Sequence, residues 1–169
     1  YGTSPIVTPE TLLLATAYIE VAKYFNLPTH AYMGLSDALL LDYQAGFEIG
    51  ISALIGLLLG LNVISGPGML EFESVFSFEK LVLDNEICGI LYRYVKGISI
   101  DDTHLAVSVF KEVVHKSSFL KHRHTLRMFR EELFLPRLLE HLPRSVWQRK
   151  GKPSLIDKAE EEVKRRLEE

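Results

Sequence analysis

The stretch from His30 to Gly66 reads HAYMGLSDALLLDYQAGFEIGISALIGLLLGLNVISG, and its punctuation decides the fold. His30-Ala31-Tyr32-Met33 is a short run closed by Gly34, which predicts a strand. After a loop to Leu41, Asp42 is suited to cap a helix that reaches Leu59, with Gly60 as its terminator. Leu61-Asn62-Val63-Ile64-Ser65 is a second strand, broken by Gly66-Pro67-Gly68. Strand, helix and strand at this spacing predict a βαβ unit whose parallel strands are apolar enough to be buried on both faces.

The flanking sequence extends the pattern. Thr8-Pro9-Glu10 combines a cap, a proline at no hydrogen-bond cost and an acidic first turn, so a helix is predicted from Pro9 to about Phe25, stopped by Asn26-Leu27-Pro28. Ser77 caps a further helix, Phe78 to about Lys96, closed by Gly97. The class is α/β, and in parallel sheets and barrels the chemistry sits where strands end. That places the loops Gly34 to Asp42 and Gly66 to Phe76 at any active site. Beyond Gly97 only helices are signalled: one capped by Asp101 or Asp102 and running to about Lys116, one after Thr125, and a charged one opened by Ser154-x-x-Asp157. Residues 1–97 therefore read as βα units, and residues 98–169 as a helical extension packing around them. A closed eight-stranded barrel takes about 250 residues. With 169 residues and two or three strands, the chain reads as the C-terminal part of a larger protein, Tyr1 standing at the end of a strand. Its open parallel sheet edge predicts self-association into a homo-oligomer.

Composition narrows the function classes. An apolar fraction of 47% supports a core and excludes a disordered tail. Nineteen basic against 22 acidic residues give no general reason to expect nucleic acid. The halves differ: residues 1–92 hold two basic and ten acidic residues, residues 93–169 seventeen and twelve, so a basic C-terminal half could meet an acidic partner or simply be a solvated surface. The single cysteine, Cys88, predicts a reducing, cytoplasmic setting. No secretory signal is visible. The longest apolar run, Ile49 to Leu61, is 13 residues, short of the roughly 20 that span a membrane, and predicts a buried helix.

Few residues carry chemistry by motif. Gly66-Pro67-Gly68 has neither P-loop nor dinucleotide spacing. His122-x-His124 lacks the neighbours of a metal site and reads as a polar helix start, while His30 reads as a satisfied core residue. Ser36 and Ser65 have no nucleophile elbow, and Cys88 lies inside a helix, which disfavours covalent catalysis. The two loops instead hold carboxylates (Asp37, Asp42, Glu48, Glu71, Glu73) among aromatics (Tyr1, Tyr32, Tyr43, Phe47, Phe72, Phe76). Such a mouth suits a cation, since ring faces attract quaternary ammonium groups by about 0.5–2 kcal/mol each. Core packing explains most of the aromatics equally well, and Asp37 and Asp42 also fit as loop and cap residues.

At these same residues the sequence resembles the trimethylamine methyltransferase family, which includes glycine betaine methyltransferases. The resemblance rests on Gly34-Leu-Ser-Asp37, Asp42-Tyr-Gln-Ala-Gly-Phe-Glu48, Gly60-Leu-Asn-Val-Ile-Ser-Gly66 and Gly68-Met-Leu-Glu71. It continues through Ser77-Phe-Glu-Lys-Leu-Val-Leu-Asp-Asn-Glu86, Lys96-Gly-Ile98, Phe119-Leu120 with His124-Thr125, and Trp147. It implies the C-terminal part of a TIM barrel followed by a helical tail. It further implies methyl transfer from a methylated or quaternary amine to the Co(I) corrinoid (cobalamin) of a separate corrinoid protein, with no metal held by this chain and no membrane partner. Members acting on trimethylamine use pyrrolysine, and the chain as written contains only standard residues, which favours the quaternary-amine group. The substrate site implied is Tyr32, Asp37, Asp42, Gln44 and Glu48 around one loop, with Gly68, Glu71 and Phe72 around the other.

Two other readings stand beside it. One is a non-catalytic fragment or interaction module that self-associates through the sheet edge. The other is a binding module for quaternary ammonium ligands, which would be stabilised by ligand without transferring a methyl group.

Overall fold

The structure, a computed structural model, describes residues 4–115 and 118–169. Tyr1 and Lys116, named above as a strand end and a helix end, lie outside those residues. The chain divides into two compact units, Tyr1–Val95 with Pro136–Glu169, and Lys96–Leu135.

In the first unit, α1 (Pro9–Tyr24) starts where Thr8 Oγ1 accepts the Thr11 N–H at 3.3 Å, with Pro9 in the first turn. It ends through Asn26 at φ +54°, a conformation asparagine tolerates, and the Leu27 N–H reaches back to the Ala22 carbonyl at 2.9 Å. β1 (His30–Ala31), α2 (Tyr43–Leu58) and β2 (Val63–Ile64) follow, and β2 pairs parallel with β1, His30 opposite Val63 and Ala31 opposite Ile64. Asp42 caps α2 as predicted, accepting from the N–H groups of Gln44 and Ala45. The strands are shorter than the apolar runs that announce them. The ladder stops after Ala31 because the Met33 N–H folds back onto the Ala31 carbonyl at 2.9 Å, and the Gly66 N–H then meets the Met33 carbonyl at 3.0 Å. A Cβ on Gly66 would stand 2.5 Å from both that carbonyl and the Leu35 amide, so only glycine permits the approach.

Burial corrects the expectation for these strands. Ala31 and Met33 are buried against Leu12 and Ile19 of α1 and Leu61, with Ile55, Leu59 and Ile64 packed around them. His30, Tyr32 and Val63 are exposed. The period of two sends alternate side chains to opposite faces, and helices cover only one of them. His30, read as a core residue, is thus exposed and satisfied at the surface by Ser65 Oγ, 2.8 Å from its Nε2. Burying a side chain the size of Ile19 or Met33 contributes about 1.5–3 kcal/mol, so this cluster anchors the unit.

An antiparallel hairpin that the sequence did not announce comes next. β3 (Met69–Leu70) pairs with β4 (Val75–Phe76) across a tight turn, Glu71–Glu73. α3 (Phe78–Val95) then packs against both α2 and α8 (Leu155–Glu168). Before α8 come the short α7 (Arg144–Arg149) and a bend closed by Trp147 Nε1 donating to the Pro153 carbonyl at 3.1 Å. Glu86 of α3, nine-tenths buried, accepts the backbone N–H groups of Arg137 and Leu138 and so holds the returning chain. α8 opens with the predicted capping box between Ser154 and Asp157.

In the second unit, Asp101 caps the helix as read, but that helix breaks at Ala106, φ +49°, into α4 (Asp102–Leu105) and α5 (Val107–Val113). α6 (Arg123–Glu132) starts two residues before Thr125, with the His122 ring accepting the His124 N–H. His124 Nε2 meets the Thr103 carbonyl at 2.6 Å, so this histidine is engaged in tying α6 to α4. Among the described residues no helix is long and apolar enough to cross a membrane.

Candidate functional site

Glu48 sits one and a half turns into α2, 9% exposed, and reaches back over the loop that precedes its own helix. Its Oε2 accepts Ser36 Oγ–H at 2.6 Å and the Asp37 N–H at 2.8 Å, and its Oε1 accepts from Gln44 Nε2 at 2.9 Å. Ser36 Oγ in turn accepts the Ala38 N–H at 3.0 Å. One carboxylate thereby fixes the conformation of residues 36–38. The backbone of the same helix is tied in as well: Ser52 Oγ donates to the Glu48 carbonyl and accepts the Gly34 N–H at 3.0 Å.

Held in this way, Asp37 turns toward the segment that leads into α1. Its Oδ2 accepts the N–H groups of Ile6 and Val7, both at 2.8 Å. Its Oδ1 is buried and has no hydrogen-bond partner, the one such side-chain atom found among the described residues. A buried oxygen with two free lone pairs costs about 1–3 kcal/mol unless something donates to it or balances its charge.

The second loop is tied to the first by backbone. The Ser36 N–H donates to the Met69 carbonyl and the Glu71 N–H to the Ala38 carbonyl, both at 3.1 Å. At the hairpin tip Glu71, Phe72 and Glu73 have φ values of +46°, +54° and +69°, three successive left-handed residues without a glycine. Each such residue costs on the order of 1–2 kcal/mol, a strain that persists only where the surroundings impose it. The carboxylates of Glu71 and Glu73 hydrogen-bond to none of the described residues, and both side chains are half-buried.

The residues singled out from the sequence therefore separate by role. Asp37, Gln44 and Glu48 form one network; Asp42 is spent on capping α2; Glu71 and Phe72 lie on the strained turn; Gly68 stands at the hairpin base. Tyr32 is exposed and meets His30 edge-on, ring centres 5.4 Å apart. The rings do not gather into one box: Tyr43 stacks on Phe47 along α2 and Phe76 meets Phe78 edge-on. Ser36 is fully buried, which bars it from meeting a substrate as a nucleophile despite its contact with Glu48.

Besides Glu86, two buried charges were missed. Lys80 and Asp84 of α3 are 1% and 2% exposed and paired to each other. Their spacing of four is the ordinary spacing of a solvated helix pair, so the sequence offered no sign of burial. Burial pushes the Asp84 carboxyl up from the usual range, while Lys80 and the Gly68 amide pull it down. The Cys88 thiol, a turn further on, is pushed up by burial and then by Asp84, which suits an inert thiol.

This arrangement places an unpartnered, solvent-shielded carboxylate oxygen on a loop whose backbone adjoins the turn bearing Glu71 and Glu73, and the negative field of these groups favours a cation at the loops. Within the Glu48 network the one hydroxyl beside a carboxylate, that of Ser36, is buried.

Comparison with known proteins places this geometry in context. A family model described as trimethylamine methyltransferase (MTTB) matches residues 2–169. The chain is 35% identical over 162 residues to the trimethylamine methyltransferase MttB of Methanosarcina barkeri strain Fusaro, covering 96% of this chain and 32% of the relative. It is 31% identical over 147 residues to the glycine betaine methyltransferase of Desulfitobacterium hafniense strain Y51, covering 86% of this chain and 31% of the relative. A trimethylamine methyltransferase MttB of D. hafniense strain DCB-2 is 31% identical over 161 residues, 95% of this chain and 32% of its own. The chain thus spans about a third of the length of these relatives.

Proposed function

The chain belongs to the trimethylamine methyltransferase family, and on that premise we propose that it forms the C-terminal third of an enzyme moving a methyl group from a methylated or quaternary amine to a corrinoid on a partner protein. The parallel pair β1–β2 around α2, with both loops at one end of it, supports reading the first unit as the closing part of a TIM barrel. The observation that carries the functional reading is the buried, unpartnered Asp37 Oδ1 beside a loop bearing Glu71 and Glu73. A methylated ammonium held at the loops supplies a balancing positive charge at short range, without touching the buried oxygen itself.

The chain's own residues bind and orient. Asp37, braced by the Ile6 and Val7 amides, balances the substrate's charge, while Glu48 keeps the 36–38 backbone in the shape that aims it. Glu71 and Phe72, on the adjoining hairpin turn, contribute a carboxylate and a ring face, both favouring an ammonium. The corrinoid, arriving with its partner, supplies a Co(I) nucleophile. During transfer the N–C bond breaks with its electron pair staying on nitrogen, so the cationic charge disappears as the reaction proceeds. Carboxylates therefore favour the bound substrate more than the transition state, and rate comes from alignment.

The test is an anaerobic assay of the complete enzyme and of this chain with Co(I) cobalamin and a panel of trimethylamine, glycine betaine and related amines. Loss of the Co(I) absorbance with one amine is expected for the complete enzyme; silence with every amine overturns the reading. Asp37→Asn keeps an acceptor for the two amides but loses the charge, and is expected to raise KM for the amine about tenfold, the weight of one charged contact.

The second reading, a self-associating fragment, is favoured by the exposed apolar side chains Leu13, Leu14, Val21 and Tyr24 on α1. It is distinguished by an isolated chain that is inactive and oligomeric while the complete enzyme turns over.

A further inference from the structure

Behind the 68–77 hairpin, the buried pair Lys80 and Asp84 closes a ring of contacts. Lys80 Nζ donates to Asp84 Oδ2, and the same oxygen accepts the Gly68 N–H at 2.8 Å. The Gly68 carbonyl accepts the Ser77 N–H at 3.0 Å, and Ser77 Oγ accepts the Lys80 N–H at 3.1 Å. Gly68 is thus gripped at both its amide and its carbonyl by the first turns of α3. The position favours glycine, since its φ is +89° and a Cβ there would stand 2.5 Å from the Phe76 ring. From this residue the chain runs into β3 and on to the left-handed turn Glu71–Glu73.

Stability alone does not account for such a pair. Two charges withdrawn from water lose about as much in hydration as their attraction returns, and apolar residues of equal volume commonly serve as well. What apolar residues cannot supply is an acceptor for the Gly68 N–H, which otherwise would be buried without one. Both charges are almost wholly withdrawn from solvent and are spent on each other and on Gly68.

We propose that Lys80 and Asp84 are positioning residues for the methyl-transfer site: Asp84, oriented by Lys80, fixes the Gly68 amide and thereby the placement of Glu71 and Phe72. The kinetic part of this inference rests on the methyltransferase reading; the anchoring of the hairpin does not.

Two double variants of the complete enzyme separate positioning from bulk stability. Lys80→Met with Asp84→Asn is neutral and retains an acceptor oxygen for Gly68. Lys80→Met with Asp84→Leu is equally neutral and retains none. The asparagine variant is expected to keep a urea midpoint close to that of the unmodified enzyme, and the leucine variant a lower one, because its Gly68 N–H is buried without an acceptor. With leucine, amide exchange across residues 68–76 is expected to accelerate about tenfold or more, whereas with asparagine it stays near the unmodified rate. KM for the amine is expected to rise about tenfold with leucine and to stay within about twofold with asparagine, kcat changing less. Equal exchange and equal KM in the two variants would overturn the proposal and leave the pair a structural one. If the unmodified enzyme transfers no methyl group, the methyltransferase reading fails, and the exchange comparison still decides the anchoring. Should the leucine variant not fold, the unmodified protein carries the test: residues 68–76 are expected to exchange slowly despite the exposed side chains of Val75 and Phe76, and fast exchange there sinks the idea.

Discussion

A methyl group added at Gly66 would meet two backbone atoms at 2.5 Å, whereas one added at Gly46, inside α2, meets nothing within 4 Å. Backbone atoms cannot swing aside, so Gly66→Ala is expected to destabilise the chain by about 1–3 kcal/mol or more. Gly46→Ala removes unfolded-state freedom at no steric cost and is expected to stabilise by about 0.5–1 kcal/mol. Urea unfolding of the two variants should move the midpoint in opposite directions; a shift of the same sign in both would contradict the packing at one of them. The same scale shows what a sequence conceals. That Asp37 and Glu48 are candidates was legible from the carboxylate-bearing loops and the family resemblance. How they are held was not, because Asp37 accepts backbone amides about 30 residues away and Glu48 accepts the Asp37 amide besides the Ser36 and Gln44 side chains, and an amide carries no side-chain signature.

At the scale of elements, the helix starts were legible because capping is local chemistry. Thr8, Asp42, Ser77, Asp101 and Ser154 all accept from backbone amides two or three residues on. The β3–β4 hairpin and the break at Ala106 were not, since both rest on non-glycine residues at positive φ, which tertiary contacts impose and composition does not announce. The charged helix α8 yields a pH test. Glu162 is held at about 2, below its usual 4.5, chiefly by hydrogen bonding to Arg165 and then Arg166. A lowered carboxyl stabilises the folded state above its unfolded value, so this contribution is present above about pH 4.5 and is lost as pH falls through 2. The group lies at the surface, so the effect is small and weakens with salt. Carboxyl titration followed by NMR should show Glu162 ionised at pH 3.5, and protonation there would contradict these ion pairs. His104 gives the opposite sign. Its ring bridges Asp101 and Glu132, which raise it, Asp101 most. The tie between α4 and α6 is therefore complete below about pH 6.5 and loosens as pH rises through the raised value. In His104→Gln, exchange of the α4 amides should lose that pH dependence; an unchanged profile would remove the bridge from the account.

For the whole molecule, the decisive feature is what remains uncovered. α1 buries Leu12 and Ile19 against the strands, yet Leu14 is 72% exposed and Tyr24 84%, with Leu13 and Val21 also in water. The free faces of His30, Tyr32 and Val63 leave β1 and β2 similarly open. An apolar surface of this kind is seldom left in water, and its association depends on area removed from water rather than on charge. The isolated chain is therefore expected to self-associate in light scattering, with a mass that rises with concentration and persists at high salt; a monodisperse monomer would show that these side chains are tolerated in water. Leu14→Lys then separates the two explanations of the face. If copies of the isolated chain cover it, the charge dissolves the oligomer and leaves the complete enzyme's melting temperature unchanged. If the remainder of a longer barrel covers it, the same substitution also buries an unpaired ammonium in the complete enzyme, a cost of several kcal/mol, and its melting temperature falls by several degrees.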